Sequence, residues 1–351
     1  MTTKTNGLRD WHLRPELPVL KCGPDAVQLG LDRRWAVRLS DLNSKEIHWL
    51  QASARKKSRL RRSAVNYGVS ESRAIAICAT LAKSGLLVPP APNTPSAQIM
   101  LGATEKRAAG GDTDLPALSA LRVDGQGQTT LDRRALSRVY LTNAGRLGAQ
   151  VALLLAEAGV GHLRITDKAQ VSTHDIGPYN VTEVGEPRLT ALTERLTELG
   201  VAPDFGPDGE PDLMISIETG SQGAKYFGKY HQLVVPHLAV AVGEAEVEIG
   251  PFVMPDRSAC THCLQLTRAG ADQDWAGLLA EIYNLPSRPV ETVLGAAAAS
   301  YIAAQALMYL DGTKPTLINA LATMALPDLT PQITPVLPHP NCGCVALPPA
   351  V

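Results

Sequence analysis

Residues 139–167 read VYLTNAGRLGAQVALLLAEAGVGHLRITD, and the fold of the chain is decided here. Val139-Tyr140-Leu141-Thr142 is a short run with the apolar and β-forming character of a buried strand. Asn143-Ala144-Gly145-Arg146-Leu147-Gly148 follows as a loop, and an apolar helix is predicted over 149–157, stopped by Gly159-Val160-Gly161. Leu163-Arg164-Ile165-Thr166-Asp167 is a second strand, so the stretch is a βαβ unit ending in an acid nineteen residues after Gly148. Glycine suits such a loop because phosphate can rest on the N–H groups of a helix N-terminus only where no side chain intervenes. An acid at the end of the second strand can then take ribose hydroxyls. Gly145, Gly148 and Asp167 fit this pattern, whereas Asn143 stands where the first glycine of G-x-G-x-x-G would be. Two readings stay open: a nucleotide seat, or tight strand–helix packing without a nucleotide.

Outward from this unit the alternation continues, with a helix predicted over 188–199, a strand over 213–217, and a short strand Leu233–Val235 halted by Pro236. That order predicts an α/β domain with a doubly wound, mainly parallel sheet of Rossmann-like type over residues 119–351. Upstream, PPAPNTPS at 89–96, Gly110 to Asp114 and Asp124 to Gln128 are rich in turn formers, and residues 89–118 are expected to be a flexible linker. Residues 1–88 then form a small domain. Three short β-like runs (18–21, 26–31, 35–39) precede three helical patterns. Asn43 or Ser44 caps the first helix, which buries Ile47, Leu50 and Trp49. The last starts at Ser70 or Glu71 and places Ile75, Cys78, Leu81 and Leu86 on one face. Strands followed by three helices in this compass predict a winged-helix α+β domain.

The 351 residues carry a formal net charge of −1, so no whole-molecule field argues for nucleic acid or a membrane surface, and 4% aromatic content disfavours base-stacking platforms. The longest apolar stretch, 294–310, is interrupted by Ser300, Tyr301 and Gln305 and falls short of the roughly 18–20 residues of a membrane span. It is expected to be a buried helix. MTTKTNGLRDWHLRPEL lacks the apolar core of a secretory signal. A cytoplasmic location with reduced thiols is the expectation.

Cys260-Thr-His-Cys263 and Cys342-Gly-Cys344, seventy-eight residues apart, hold four of the six cysteines. Thiolates two or three residues apart on a tight turn can reach one ion, and two such turns make a four-sulfur site. With every position filled by thiolate, a zinc ion there is structural rather than catalytic. His262 and His339 flank the pairs as alternative ligands. Cys22 and Cys78 are assigned to packing. Six Lys or Arg in 55–62 (RKKSRLRR) have three readings: a solvated helix end, a dock for an acidic peptide, or phosphate neutralisation on DNA.

The 139–167 stretch, above all LAEAGVGHLRITD, resembles the nucleotide-binding unit of the ThiF/MoeB/HesA superfamily, the bacterial relatives of ubiquitin-activating enzymes. The C-x-x-C pair, the apolar helix from Leu294 and the closing cysteine pair are placed as in that family, and the resemblance covers about residues 130–345. GPFVMPDRSACTHCLQL and HPNCGC look most like an actinobacterial branch related to azole-peptide cyclodehydratase partner proteins. Residues 14–88 are similar to the small PqqD-like winged domain that binds leader peptides. The resemblance implies ATP and magnesium, adenylation of a C-terminal carboxylate, nucleotide contacts at Gly145, Gly148 and Asp167, zinc at Cys260, Cys263, Cys342 and Cys344, and a homodimer.

The family's S-N-L-x-R-Q segment appears here as His174-Asp175-Ile176-Gly177-Pro178-Tyr179, with proline in place of the arginine. The lysine of G-x-P-K is Arg188, and the magnesium-binding aspartate is Thr219, with Glu218 beside it. Because adenylyl transfer depends on cations neutralising developing charge, these losses predict a protein degenerate in adenylation. Its expected role is a peptide- or protein-binding partner that delivers or scaffolds a substrate for a modifying enzyme, with no catalytic residue assigned. The alternatives are an active ATP-dependent adenylyltransferase and a nucleic-acid-binding winged-helix regulator.

Overall fold

Asn43 caps the first long helix of the protein, as its position predicts. Its side-chain oxygen accepts the Glu46 N–H at 3.0 Å while the Glu46 carboxylate accepts the Asn43 N–H at 2.9 Å. The computed structural model describes residues 6–90, 111–122, 124–203, 209–219, 235–285 and 288–345. The chain forms two units, Met1–Gly102 with Asp112–Asp132, and Ala103–Gly111 with Arg133–Val351.

In the first unit β1 (His12–Leu13) precedes a meander of β2 (Val19–Lys21), β3 (Val27–Leu29) and β4 (Val37–Leu39), antiparallel in the order β2-β3-β4. Helices α1 (Ser44–Lys56), α2 (Leu60–Ser63) and α3 (Glu71–Lys83) follow, and β5 (Leu87–Val88) returns to pair with β1. Trp49 is wholly buried, its indole N–H shared between Leu60 O and Ser63 Oγ, which pins α1 to α2. Leu50 and Ile47 are buried with it. On α3 the buried positions are Ala74, Ile77, Cys78 and Leu81, so Ile77 rather than Ile75 faces inward. Glu46, 1% exposed, pairs with Arg73 at 2.7 Å, and that guanidinium holds its carboxyl below the ordinary range against the opposing effect of burial.

Residues 111–121, within the stretch expected to be linker, form α4 (Gly111–Leu121), and Asp112–Asp132 group with the first unit rather than the second. The Gly-Gly-Asp opening reads as flexible, yet helix begins at Gly111. Residues 91–96 and Leu233–Val234 lie outside the described residues.

After α5 (Gly127–Leu136), the second unit opens with β6 (Arg138–Leu141), α6 (Arg146–Glu157) and β7 (His162–Ile165). Then come α7 (Arg188–Glu198), β8 (Leu213–Thr219), β9 (His237–Val242) and β10 (Glu246–Val253). The chain continues through α8 (Thr261–Ala271), α9 (Trp275–Tyr283), α10 (Thr292–Leu310), β11 (Ala320–Ala325) and β12 (Gln332–Pro335). One seven-stranded sheet results, in the order β12-β11-β10-β9-β8-β6-β7.

Strands β7, β6, β8 and β9 are parallel, with α6 and α7 crossing between the first three in sequence; β10, β11 and β12 are antiparallel. The sheet is therefore mixed rather than mainly parallel. The reason is local: only Gly243 to Ala245 separate β9 from β10, which is hairpin length, and Gly243 donates to Glu246 O at 2.9 Å.

Helix α10 has the length and apolarity of a membrane span, but its buried residues Leu294, Ala298, Ala299, Ile302 and Ala306 join the core with Leu155 of α6 and Phe252 of β10. Arg134, 5% exposed, grips Asp311 beyond its C-terminus with two bonds of 2.8 and 2.7 Å.

Candidate functional site

The order of the parallel strands reverses at β6: β7 lies on one side of it and β8 on the other. In doubly wound folds the crevice beyond the strand ends at such a point is where ligands bind. A cavity of about 220 Å³ sits there. Thr142, Asn143, Gly145, Arg146 and Leu147 wall it from the loop, Ile217 and Glu218 from the end of β8, Val242 from β9, and Arg188 and Arg288 from further segments. Its volume is below the roughly 300–1,000 Å³ of an open ligand pocket.

Gly145, Gly148 and Asp167 are brought together. A Cβ on Gly148 would lie 2.1 Å from the Asn143 carbonyl oxygen, so this glycine lets the first turn of α6 close onto the loop. The Asp167 carboxylate accepts the Ala144 N–H at 2.9 Å and the Ala169 N–H at 2.8 Å, and it pairs with Arg188 at 3.2 Å. Gly145 N–H donates to Asn143 Oδ1 at 2.8 Å, and Arg146 N–H donates to Asp175 Oδ1 at 3.1 Å.

Asp175 and Tyr179, which in the sequence stand only within a departure from the family motif, carry parts of the site. Asp175, 3% exposed, sits on a short 3-10 turn over 173–175 and accepts both the N–H and the hydroxyl of Ser172 at 2.8 Å. Arg188 Nη2 reaches it at 2.8 Å and Nε at 3.1 Å. Burial pushes this carboxyl upward, but the Ser172 N–H and the Arg188 guanidinium outweigh it, and the net direction is down. Tyr179 is fully buried and donates its hydroxyl to Ala144 O at 2.7 Å, bracing the loop; burial raises that phenol. Arg146, the first residue of α6, reaches Thr292 Oγ1 at 2.7 Å and Ile176 O at 2.6 Å. Its guanidinium thus touches the backbone two residues before Pro178, where the sequence pattern lacks its arginine. Glu218 is 6% exposed and lines the crevice; the side chain of Thr219 lies outside the described residues.

The four cysteines converge. Cys260 is the cap of α8 and Cys263 lies in its first turn, while Cys342 and Cys344 arrive on the turn centred at Gly343. All four Sγ atoms lie within 4.8 Å of one another, with Cys260–Cys342 at 3.4 Å, Cys263–Cys344 at 3.3 Å and Cys260–Cys263 at 4.0 Å. These separations exceed a disulfide's ~2.05 Å. They bracket the roughly 3.8 Å edge of a tetrahedron whose centre lies about 2.3 Å from each sulfur. The group could hold a metal ion. His339 takes part through its backbone, donating N–H to Cys263 Sγ at 3.2 Å, while its ring Nδ1 accepts the Asn341 N–H. Val253, Leu264, Leu321 and Val336 pack around the sulfurs.

Four residues of the basic run are compensated within the first unit: Lys57 by Glu16, Arg59 and Arg62 by Asp10, and Arg61 by Glu71. Cys22 is exposed, whereas Cys78 is buried and its thiol is pushed up to about 12 by that burial.

No curated protein matches the chain. The family model described as "ThiF family" matches residues 118–204. Among solved structures, E. coli MccB with ATP has 12% identity and a TM-score of 0.64, with 95% of this chain and 99% of that one covered. The microcin C7 biosynthetic enzyme MccB in complex with N-formylated MccA has 13% identity and a TM-score of 0.66 over 95% and 99%. PaaA has 15% identity and a TM-score of 0.65 over 92% and 99%. At these identities the likeness concerns the fold, and together with the family match it gives the conclusion that this chain has the fold of the ThiF/MoeB superfamily.

Proposed function

We propose that the chain binds a peptide or protein segment and activates its carboxylate with ATP in the crevice above Gly145. The observation that carries this is the crevice itself: a switch-point cavity over a glycine loop, walled by Arg146, Arg188 and Arg288, with the acid Glu218 at the end of β8. The solved MccB structures with ATP and with a peptide match nearly the whole chain and supply the chemistry to test.

In this reading a carboxylate oxygen of the peptide attacks the α-phosphorus of ATP, and pyrophosphate leaves with the electron pair of the broken P–O bond. Gly145 and Gly148 let the phosphates approach the loop. Asp167 receives the ribose hydroxyls on lone pairs not used by the Ala144 and Ala169 N–H groups. Arg146 and Arg188 face the negative charge, and Glu218 would hold the magnesium that accompanies the nucleotide. Residues 1–88 form the winged, PqqD-like part, which takes the peptide by strand addition along an outer strand of the β2-β3-β4 sheet. Cys260, Cys263, Cys342 and Cys344 hold a structural zinc. The setting is the cytoplasm, and the unit of function is a homodimer.

A second reading, a partner that binds peptide for another enzyme without adenylating it, is favoured by Pro178 and by the two carboxylates holding Arg188. Pyrophosphate exchange into ATP, measured with candidate peptides, separates the two. The first reading expects exchange above the peptide-free background, falling by about 10²-fold or more in Arg188→Ala. Exchange at background, with peptide still bound by the full chain, rejects it in favour of the second.

A further inference from the structure

Three consecutive N–H groups, those of Ala144, Gly145 and Arg146, line the loop where a phosphate would be cradled. Each already donates to an oxygen of the protein: Asp167 Oδ2 at 2.9 Å, Asn143 Oδ1 at 2.8 Å and Asp175 Oδ1 at 3.1 Å. Over them lies Arg188, whose guanidinium carbon would be 3.6 Å from a Cβ on Gly145. The close approach that glycine permits here is used by an arginine. Asp175 stands at the N-terminus of α6 as an anion, where the helix dipole and the Arg146 N–H it accepts favour negative charge. Two carboxylates and one guanidinium fill the cradle, so a phosphate reaches the Arg146 N–H only by displacing Asp175.

We infer that Asp175 is an internal substitute for phosphate, so that nucleotide binding proceeds by exchange: an incoming phosphate displaces the Asp175 carboxylate from the Arg146 N–H and takes over Arg188. The inference rests on the reading that nucleotide phosphates bind above this loop. A carboxylate and a phosphate oxygen compete for the same two partners, a helix N-terminal N–H and a guanidinium fork. The Asp175-bearing turn is only three residues long, held by the Ser172 hydroxyl and N–H, so the displaced carboxylate can swing without unfolding a longer element. Asp167 stays with Arg188 throughout, which keeps the arginine at the loop after Asp175 leaves.

The test is calorimetric titration of the full chain with ATP and, separately, with adenosine, which has the base and ribose but no phosphate. Asp175→Asn keeps an acceptor for the Arg146 N–H and removes the competing charge. It is expected to tighten ATP about tenfold, within the usual range of such couplings, and to leave adenosine unchanged. Ser172→Ala, which loosens the turn and retains the charge, is expected to tighten ATP by a smaller factor and carries the test where Asp175→Asn does not fold. Unchanged or weakened ATP binding, or ATP and adenosine shifting together, overturns the exchange. Failure of both ligands to bind wild type and variants alike overturns instead the nucleotide reading beneath it.

Discussion

At Asp175 a carboxylate that burial alone would push toward protonation is held ionised by Ser172 and Arg188, and this has a consequence for pH. Its folded value lies below its ordinary value, so as the pH falls the unfolded chain takes up the proton first. The stabilisation is complete above the ordinary aspartate value of about 3.9 and is lost as the pH drops through the folded value. Asp175→Asn, which lacks that titration, should cost about 2 kcal/mol at neutral pH, the scale of breaking charge-assisted bonds to a buried group. The deficit relative to wild type should shrink as the pH falls below about 4 in urea unfolding; a gap that stays constant there removes Asp175 as the source. Asp175 and Tyr179 were not legible as site residues because nothing in their spacing signals them. Their stretch, 174–179, matters through bonds to Ala144, Arg146 and Arg188, which are distant in sequence. Gly145, Gly148, Asp167 and the cysteines were legible because chemistry tied to short spacing is visible in a linear string.

Among the elements, β6-α6-β7 was read nearly to its ends because three signals agree there: apolar strand runs, an apolar helix, and glycines at both turns. The antiparallel half was not. Strand β9 is buried at every position and so shows no alternation, and Pro236, which by its chemistry reads as a strand stop, immediately precedes it. Pro251 lies inside β10 at a register shift between Ile249 and Phe252, a bulge where a strand tolerates proline. The join between β6 and α6 makes the sharpest prediction at this scale. Gly148→Ala puts a methyl against the Asn143 carbonyl, which is backbone and cannot rotate away, and should lower the stability of the second unit by about 1–3 kcal/mol. Gly145→Ala meets only the ends of the Asn143 and Arg188 side chains, at 3.1 and 3.5 Å, and should cost clearly less. Equal urea midpoints for the two variants would show that loop closure onto α6 is not what Gly148 provides.

For the whole molecule the open question is what holds the last stretch of the second unit in place. Among the described residues, strand β12 is exposed at all four of its positions and pairs only with β11, and the segment beyond it contributes Val336 and two cysteines, Cys342 and Cys344, to a small cluster of its own. So little apolar area anchors a tail weakly, whereas four thiolates on one ion supply binding free energy that acts directly as folding free energy. The thiolates of Cys342 and Cys344 would join residues 342–344 to the start of α8, closing the stretch of chain from Cys260 to Cys344. One zinc per chain is therefore expected in metal analysis of freshly prepared protein. Chelation, or Cys342→Ser, should raise amide exchange in residues 332–345 and at the start of α8 while β6, α6 and β7 stay protected, since their core lies among Val139, Leu155 and Leu163 rather than around the sulfurs. Protein that carries no zinc, or that keeps full protection of 332–345 after its metal is stripped, would leave the convergence of the four sulfurs as packing alone.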